Sequence, residues 1–168
     1  MALKYQKWDK IAELIFENPG RRFTVREISK RTRIPASSAQ RYLKEIRSEG
    51  LATQENMAVS SPYFKFKKSF FAIDKLFKTG LIEYLDKMFN PSAVIVFGSI
   101  RKGDYDAESD IDLFIESTKR PKTNLLNFEK KLGHKVQLFI EKDINDLPPE
   151  LLNSVLNGIK LRGYFKIK

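Results

Sequence analysis

Apolar positions along the chain change their period several times, and each change predicts an element. Trp8, Ile11, Ala12 and Ile15 recur at helical spacing until Asn18-Pro19-Gly20 interrupts them. Phe23 follows in a short extended segment. Thr24 and Glu27 then have the spacing of a capping box, which opens a helix over Val25 to Thr32 with Ile28 inward. The turn Arg33-Ile34-Pro35 leads into a third helix, Ala36 to Glu49, whose Ala39, Leu43 and Ile46 repeat at core spacing, and Gly50 stops it. Leu51-Ala52-Thr53, a polar tip from Asn56 to Ser61, and the alternating Tyr63-Phe64-Lys65-Phe66-Lys67 predict a two-stranded wing.

Further along, the runs from Phe70 to Phe77 and from Leu81 to Phe89 are helical by periodicity and broken at Gly80. They are too apolar for a loose linker, so residues 69–90 are expected to form connecting helices, a hinge helix and the helix before the first strand. Their phenylalanines suit a core or a homodimer contact better than a ligand box. Ala93-Val94-Ile95-Val96-Phe97 is an apolar pentad with the length of a buried strand, and Asp110 to Ile115 predicts a second strand beside it. Glu116 to Thr123 reads as a loop, Asn124 to Leu132 as a helix, Lys135 to Ile140 as a third strand, Leu151 to Leu156 as a helix and Lys160 to Tyr164 as a last extended piece. No internal repeat or low-complexity tract interrupts this order.

Composition narrows the function classes. A hydrophobic content of 42% is ample for a core. No apolar run approaches a membrane span, and Met1 to Lys7 lacks the apolar core of a signal peptide, so a cytoplasmic protein without a membrane partner is expected. Zero cysteines exclude disulfides and thiolate metal sites, and the single histidine, His134, argues against a zinc enzyme. His134 follows Gly133 at a turn between helix and strand, where a surface role is expected.

The net charge of +10 is concentrated at one end. Residues 1–68 hold 15 Lys and Arg against 7 Asp and Glu, whereas residues 69–168 hold 16 against 14. A basic block of this kind fits a polyanionic partner, although a charged helical face is often only solvated. The third helix carries Ser37, Gln40, Arg41, Lys44 and Arg47 on the side away from Leu43. Short hydroxyl and amide groups near its start can reach base edges, while arginine and lysine bind phosphates or guanine. Residues 1–68 thus resemble a winged helix-turn-helix domain, which implies binding of duplex DNA through those five residues. The alternative is a protein-docking winged helix with a solvated basic face.

The chemistry lies after the pentad, in Gly98-Ser99 followed by ten residues and Asp110-Ile111-Asp112. Side chains at i and i+2 of a strand share a face, so Asp110 and Asp112 project together while Ile111, Leu113 and Ile115 face the core. Two carboxylates on one face can share Mg²⁺, which keeps positions for water and substrate phosphate, and a pair of metals so held can clamp an in-line displacement. Gly98 removes a Cβ that would keep a phosphate from the backbone, amides from Ser99 onward can donate to it, and Lys102 adds positive charge nearby.

The run from Gly98 to Gly103, ending in Ser109-Asp110-Ile111-Asp112-Leu113, resembles the signature of the minimal nucleotidyltransferases of the DNA polymerase beta-like superfamily, archaeal and bacterial type. Gly98, Ser99, Gly103, Ser109, Asp110 and Asp112 match position by position, and Lys102 stands where that family usually has arginine. The resemblance implies catalytic and metal-binding roles for Asp110 and Asp112, and nucleotide binding by Gly98, Ser99, Lys102 and Ser109. It also implies Mg²⁺ as cofactor and ATP or another NTP as substrate.

The expected fold is α/β (α+β), an N-terminal winged helix-turn-helix over 1–68 and a polymerase beta-like nucleotidyltransferase over 69–168 with a small mixed sheet flanked by helices. One position departs from the family. Its third carboxylate falls in Lys135-Val136-Gln137-Leu138-Phe139-Ile140, where Gln137 replaces the acid. An amide holds no charge for a metal and cannot serve as a base, and Glu141, four residues on, is about 13 Å away along a strand. Two readings follow. In one the protein transfers NMP, most simply AMP, to a hydroxyl on a protein, RNA or small molecule, tethered to or autoregulated through DNA. In the other it is a DNA-binding regulator with a nucleotide-sensing, degenerate transferase domain. The family also implies an antitoxin role with a HEPN-type toxin as partner.

Overall fold

The computed structural model describes residues 7–167. The N-terminal residues 1–6, on which part of the signal-peptide expectation rests, lie outside the described residues. The chain divides into two compact units, Met1–Lys68 and Ser69–Lys168.

In the first unit, α1 (Lys7–Glu17), α2 (Val25–Thr32) and α3 (Ala36–Ser48) bury the residues that the periodicity selects, among them Ile11, Ile15, Ile28, Ala39, Leu43 and Ile46. The capping box opens α2. Thr24 Oγ1 accepts from the Glu27 amide at 3.2 Å, and the Glu27 carboxylate accepts from the Thr24 amide at 3.0 Å. These bonds and the Arg21 side chain hold the Glu27 carboxyl below its ordinary pKa. After α3 the chain turns at Gly50, whose φ of 71° is left-handed, and folds back through Thr53 N to Met57 O at 2.8 Å and one antiparallel bridge, Ala52 with Ala58.

The two-stranded wing expected after Gly50 does not form, and one isolated bridge stands in its place. Tyr63 to Lys67 is not a strand but the start of α4 (Pro62–Lys78). Ser61 supplies an N-cap, its Oγ accepting from Phe64 N at 3.1 Å, and Pro62 takes the first helical position, where its missing N–H costs nothing. The aromatic-lysine alternation imitates a strand over five residues. Of these five residues only Phe64 is buried, 4% exposed and edge-on to Phe16 at 5.3 Å, while Tyr63 and Phe66 are 51% and 62% exposed. The helix expected from Phe70 therefore begins eight residues earlier, at Pro62.

In the second unit, Gly80 with φ of 79° separates α4 from α5 (Leu81–Phe89), as its position between two periodic runs predicts. Next come β1 (Ala93–Phe97), the short α6 (Gly98–Lys102), β2 (Ile111–Glu116), α7 (Leu126–Leu132) and β3 (Val136–Glu141). A 3₁₀ turn (Ile144–Asp146), α8 (Pro149–Leu156) and β4 (Ile159–Gly163) complete it. The sheet order is β3-β2-β1-β4, with β2 and β3 parallel and the other pairs antiparallel. The sheet is mixed, as expected.

Helices cover both sheet faces, which is why the pentad has no polar alternation. Val94, Val96, Leu113 and Ile115 pack with Leu81, Leu85 and Phe89 on one face, and Ile95, Phe97 and Phe114 with Ile144 and Val155 on the other. Glu116, placed in a loop by the sequence, is the last residue of β2 and buried, its carboxylate accepting from Ile144 N at 2.9 Å and from Ser92 Oγ. Among the described residues no helix is long and apolar enough to cross a membrane.

Candidate functional site

The end of β1 and the start of β2 lie side by side. Phe97 pairs with Asp112, and across the parallel junction Asp112 pairs with Gln137. The strand β2 starts one residue later than expected, so Asp110 sits at its mouth, exposed, and Asp112 is its second residue, half-buried. Immediately after Phe97 the chain turns sharply into α6. Gly98 has φ of 66°, and a Cβ built on it would overlap Asp112 Oδ2. The glycine is thus needed twice over, for a left-handed backbone and for the approach of the Asp112 carboxylate. The sequence foresees a close approach at Gly98, and the group already packed there is this carboxylate.

Burial, and then the charge of Asp110, raise the Asp112 pKa above the ordinary aspartate range. The two acids, with hard oxygens at the edge of a sheet, form a donor set suited to a divalent cation. They are a pair and no more, since among the described residues no group of three or more His, Asp or Glu could hold a metal. Gln137 occupies the register position where a third acid would extend it, and is exposed.

The other predicted residues divide. Ser99 is half-buried in the first turn of α6, its carbonyl accepting from Asp104 N at 3.0 Å. Gly98 and Lys102 line a cleft of about 290 Å³ together with Arg101, Asn153, Ser154 and Asn157. Ser109 shapes the loop before Asp110, its hydroxyl meeting Asp106 Oδ1 and the Asp106 amide, each at 3.0 Å.

His134 corrects the expectation of a surface histidine. Its Nδ1 lies 2.8 Å from the Ser109 carbonyl oxygen, its ring meets buried Tyr105 edge-on at 5.8 Å, and it is 9% exposed. It therefore fastens the loop that delivers Asp110. Neither its turn position nor its spacing signals this, because its partner lies 25 residues away.

In the first unit, all five residues singled out on α3 line one groove of about 760 Å³. Ser37, Gln40, Arg41, Lys44 and Arg47 are joined there by Ser48 and Gln54. Arg47 is anchored, with Nε donating to Leu43 O and Nη1 to Gln54 Oε1, both at 3.2 Å, and Arg41 lies over the Tyr42 ring at 5.0 Å. Gln54 escapes sequence reasoning because it reaches the groove only when the chain folds back after Gly50.

No curated protein matches this chain. The family model described as Polymerase beta, Nucleotidyltransferase matches residues 79–162, half of the 168 residues, from the end of α4 through β4, with Gly98, Asp110 and Asp112 inside it. By that match the chain belongs to the polymerase beta nucleotidyltransferase family.

Proposed function

We propose that this protein transfers a nucleoside monophosphate, AMP in the simplest case, from an NTP to a hydroxyl of a protein, RNA or small molecule, while its N-terminal unit holds duplex DNA. The observation that carries the reading is the packing of the Asp112 carboxylate against Gly98 at the turn into α6, with Asp110 beside it. Asp110 and Asp112 would hold Mg²⁺, whose chemistry is to neutralise phosphate charge during displacement at phosphorus.

The acceptor oxygen forms a bond to the α-phosphorus, and the bond from that phosphorus to the pyrophosphate oxygen breaks. The hydroxyl proton leaves to solvent, because Gln137 cannot take it. Lys102 and Arg101 place two positive charges beside Gly98, on the side where a polyphosphate would lie. The α3 groove supplies charge for DNA phosphates and, in Ser37 and Gln40, short polar groups for base edges.

The experiment is incubation of the protein with α-labelled NTPs, Mg²⁺ and a lysate, beside Asp112→Asn. Label on an acceptor that disappears in the variant is the expected result, and label unaffected by the substitution refutes the site. A second reading, a DNA-bound nucleotide sensor, is favoured by Gln137 standing opposite Asp112. Gln137→Asp separates the two. Transfer that rises or first appears supports the enzyme, whereas altered metal affinity with no transfer across a broad acceptor screen supports the sensor.

A further inference from the structure

The exposed face of α4 carries aromatic residues at alternating spacings of three and four, and we propose that it pairs, antiparallel, with α4 of a second copy to make a homodimer. Tyr63, Phe66, Phe70 and Phe77 are 46–62% exposed, and half-buried Ile73 completes the series. Positions so spaced form one stripe along a helix, the pattern by which two helices interlock their side chains. The opposite face is already used. Phe64, Lys68, Ala72, Lys75 and Leu76 lie along it and are all buried. The stripe is therefore an apolar face additional to the one that packs on the chain's own core.

Its size suits a modest interface. A whole aromatic side chain has about 150–250 Å² to bury, so the exposed share of these four is about 330–550 Å² in each copy. An apolar patch of that extent on a monomer is often functional. Doubled by a second copy and widened by the flanking residues, it reaches the lower bound of about 1,000 Å² for specific association. The dimer should accordingly be weak, dissociating on the order of micromolar concentration.

The charges beside the stripe select its partner. On a helical projection one edge of the stripe carries Lys67, Asp74 and Lys78, and the other carries Pro62, Ser69 and Leu76, none of them charged. Lys67 Nζ lies 5.8 Å from the Tyr63 ring centroid, at the border of the stripe. Lys67 and Asp74 stand three residues before and four residues after Phe70. In an antiparallel pair centred beside Phe70 like edges face each other, so Lys67 of one copy meets Asp74 of the other, and the twofold axis makes the contact twice. A parallel pair would set the charged edge against the uncharged one. Lys67 reaches Glu49 at 3.3 Å and Asp74 reaches Lys78 at 2.5 Å, but both side chains are partly exposed, and one partner fills neither an ammonium nor a carboxylate. A membrane surface fits less well, because it favours cations, whereas one edge here mixes signs and the other has none.

Sedimentation velocity on the full chain over a dilution series tests the pairing, with circular dichroism confirming the fold of each variant. Wild type should pass from dimer to monomer on dilution. Phe70→Ser changes an exposed side chain that the twofold axis counts twice, and should raise the dissociation constant at least about 10-fold. Lys67→Asp and Asp74→Lys should each weaken self-association about 2- to 30-fold, because each sets like charges together at both contacts. Their equimolar mixture should associate as wild type does, since each variant supplies the charge that the other lacks. A wild type that stays monomeric at about 100 µM overturns the proposal, and binding of that monomer to vesicles of phosphatidylcholine and phosphatidylserine would assign the stripe to a membrane. A dimer that Phe70→Ser leaves intact, or a mixture of the charge variants that associates no better than either alone, also overturns it.

Discussion

Two glycines of the second unit share a backbone conformation and differ in what surrounds them, which allows the Gly98 contact to be weighed alone. Gly98 has φ of 66° and Gly133 has φ of 80°. An added Cβ at Gly133 meets nothing within 4 Å, while at Gly98 it overlaps the Asp112 carboxylate. Alanine at either position has the left-handed penalty of about 1–2 kcal/mol, reduced by a few tenths to about 1 kcal/mol from the stiffer unfolded chain. Gly98→Ala must in addition push a half-buried carboxylate aside. Forced overpacking typically costs about 1–3 kcal/mol.

The difference between the two variants is therefore the Asp112 contact. For a domain of about 60–100 residues 1 kcal/mol corresponds to about 4–8 °C in Tm, so Gly98→Ala should melt at least about 4 °C below Gly133→Ala. Differential scanning calorimetry on both variants without divalent cation reads this directly. MgATP titration should then show weakened binding in Gly98→Ala alone, because only there is an oxygen of the proposed metal site displaced. Equal melting points, or equal loss of MgATP affinity, would refute the claim that the carboxylate is seated against the turn.

Asp112→Asn should stabilise the cation-free protein at neutral pH. The raised pKa means that this group's stabilisation is full below the unfolded pKa and is lost as pH rises through the folded value, so thermal melts should show the gain shrinking toward pH 3 and Mg²⁺ reversing the order at pH 7. Thr24→Ala removes the acceptor that opens α2 and should cost the first unit about 1 kcal/mol in urea unfolding. Arg41→Ala or Lys44→Ala should weaken duplex DNA binding and reduce its log–log salt slope by about one for each lost phosphate contact, read by fluorescence anisotropy; no salt-sensitive binding by the wild type would make the unit a protein-docking module.

What the sequence discloses depends on how local the determining physics is. The capping box of Thr24 and Glu27, the stop at Gly50 and the break at Gly80 are decided within a few residues, and each stands where local chemistry puts it. Tyr63 to Lys67 fails for the complementary reason. Five alternating residues satisfy a strand period, but a serine cap and a proline at the first helical position, just upstream, start a helix that runs to Lys78. His134 and the asparagine pair are harder still. The histidine meets a carbonyl 25 residues away, and Asn153 and Asn157 reach the cleft beside Gly98 only when α8 is brought alongside, a tertiary event with no periodic trace.

Gln137 lies between these cases. The resemblance to the nucleotidyltransferase signature implies that it stands where a third acid would join the pair, and the parallel register, Asp112 with Gln137 and Glu116 with Glu141, places it beside Asp112 and gives Glu141 a different neighbour. Glu141 also pairs with Arg120 at 3.2 Å, so no other carboxylate on β3 can take up the missing charge at that position. On the proposed reading Asp110 and Asp112 would hold a metal, and Gln137 would supply no base for an acceptor. An acceptor served by such a site would need a readily lost proton, and the rate of transfer should then depend on acceptor acidity more steeply than at a site with a third carboxylate.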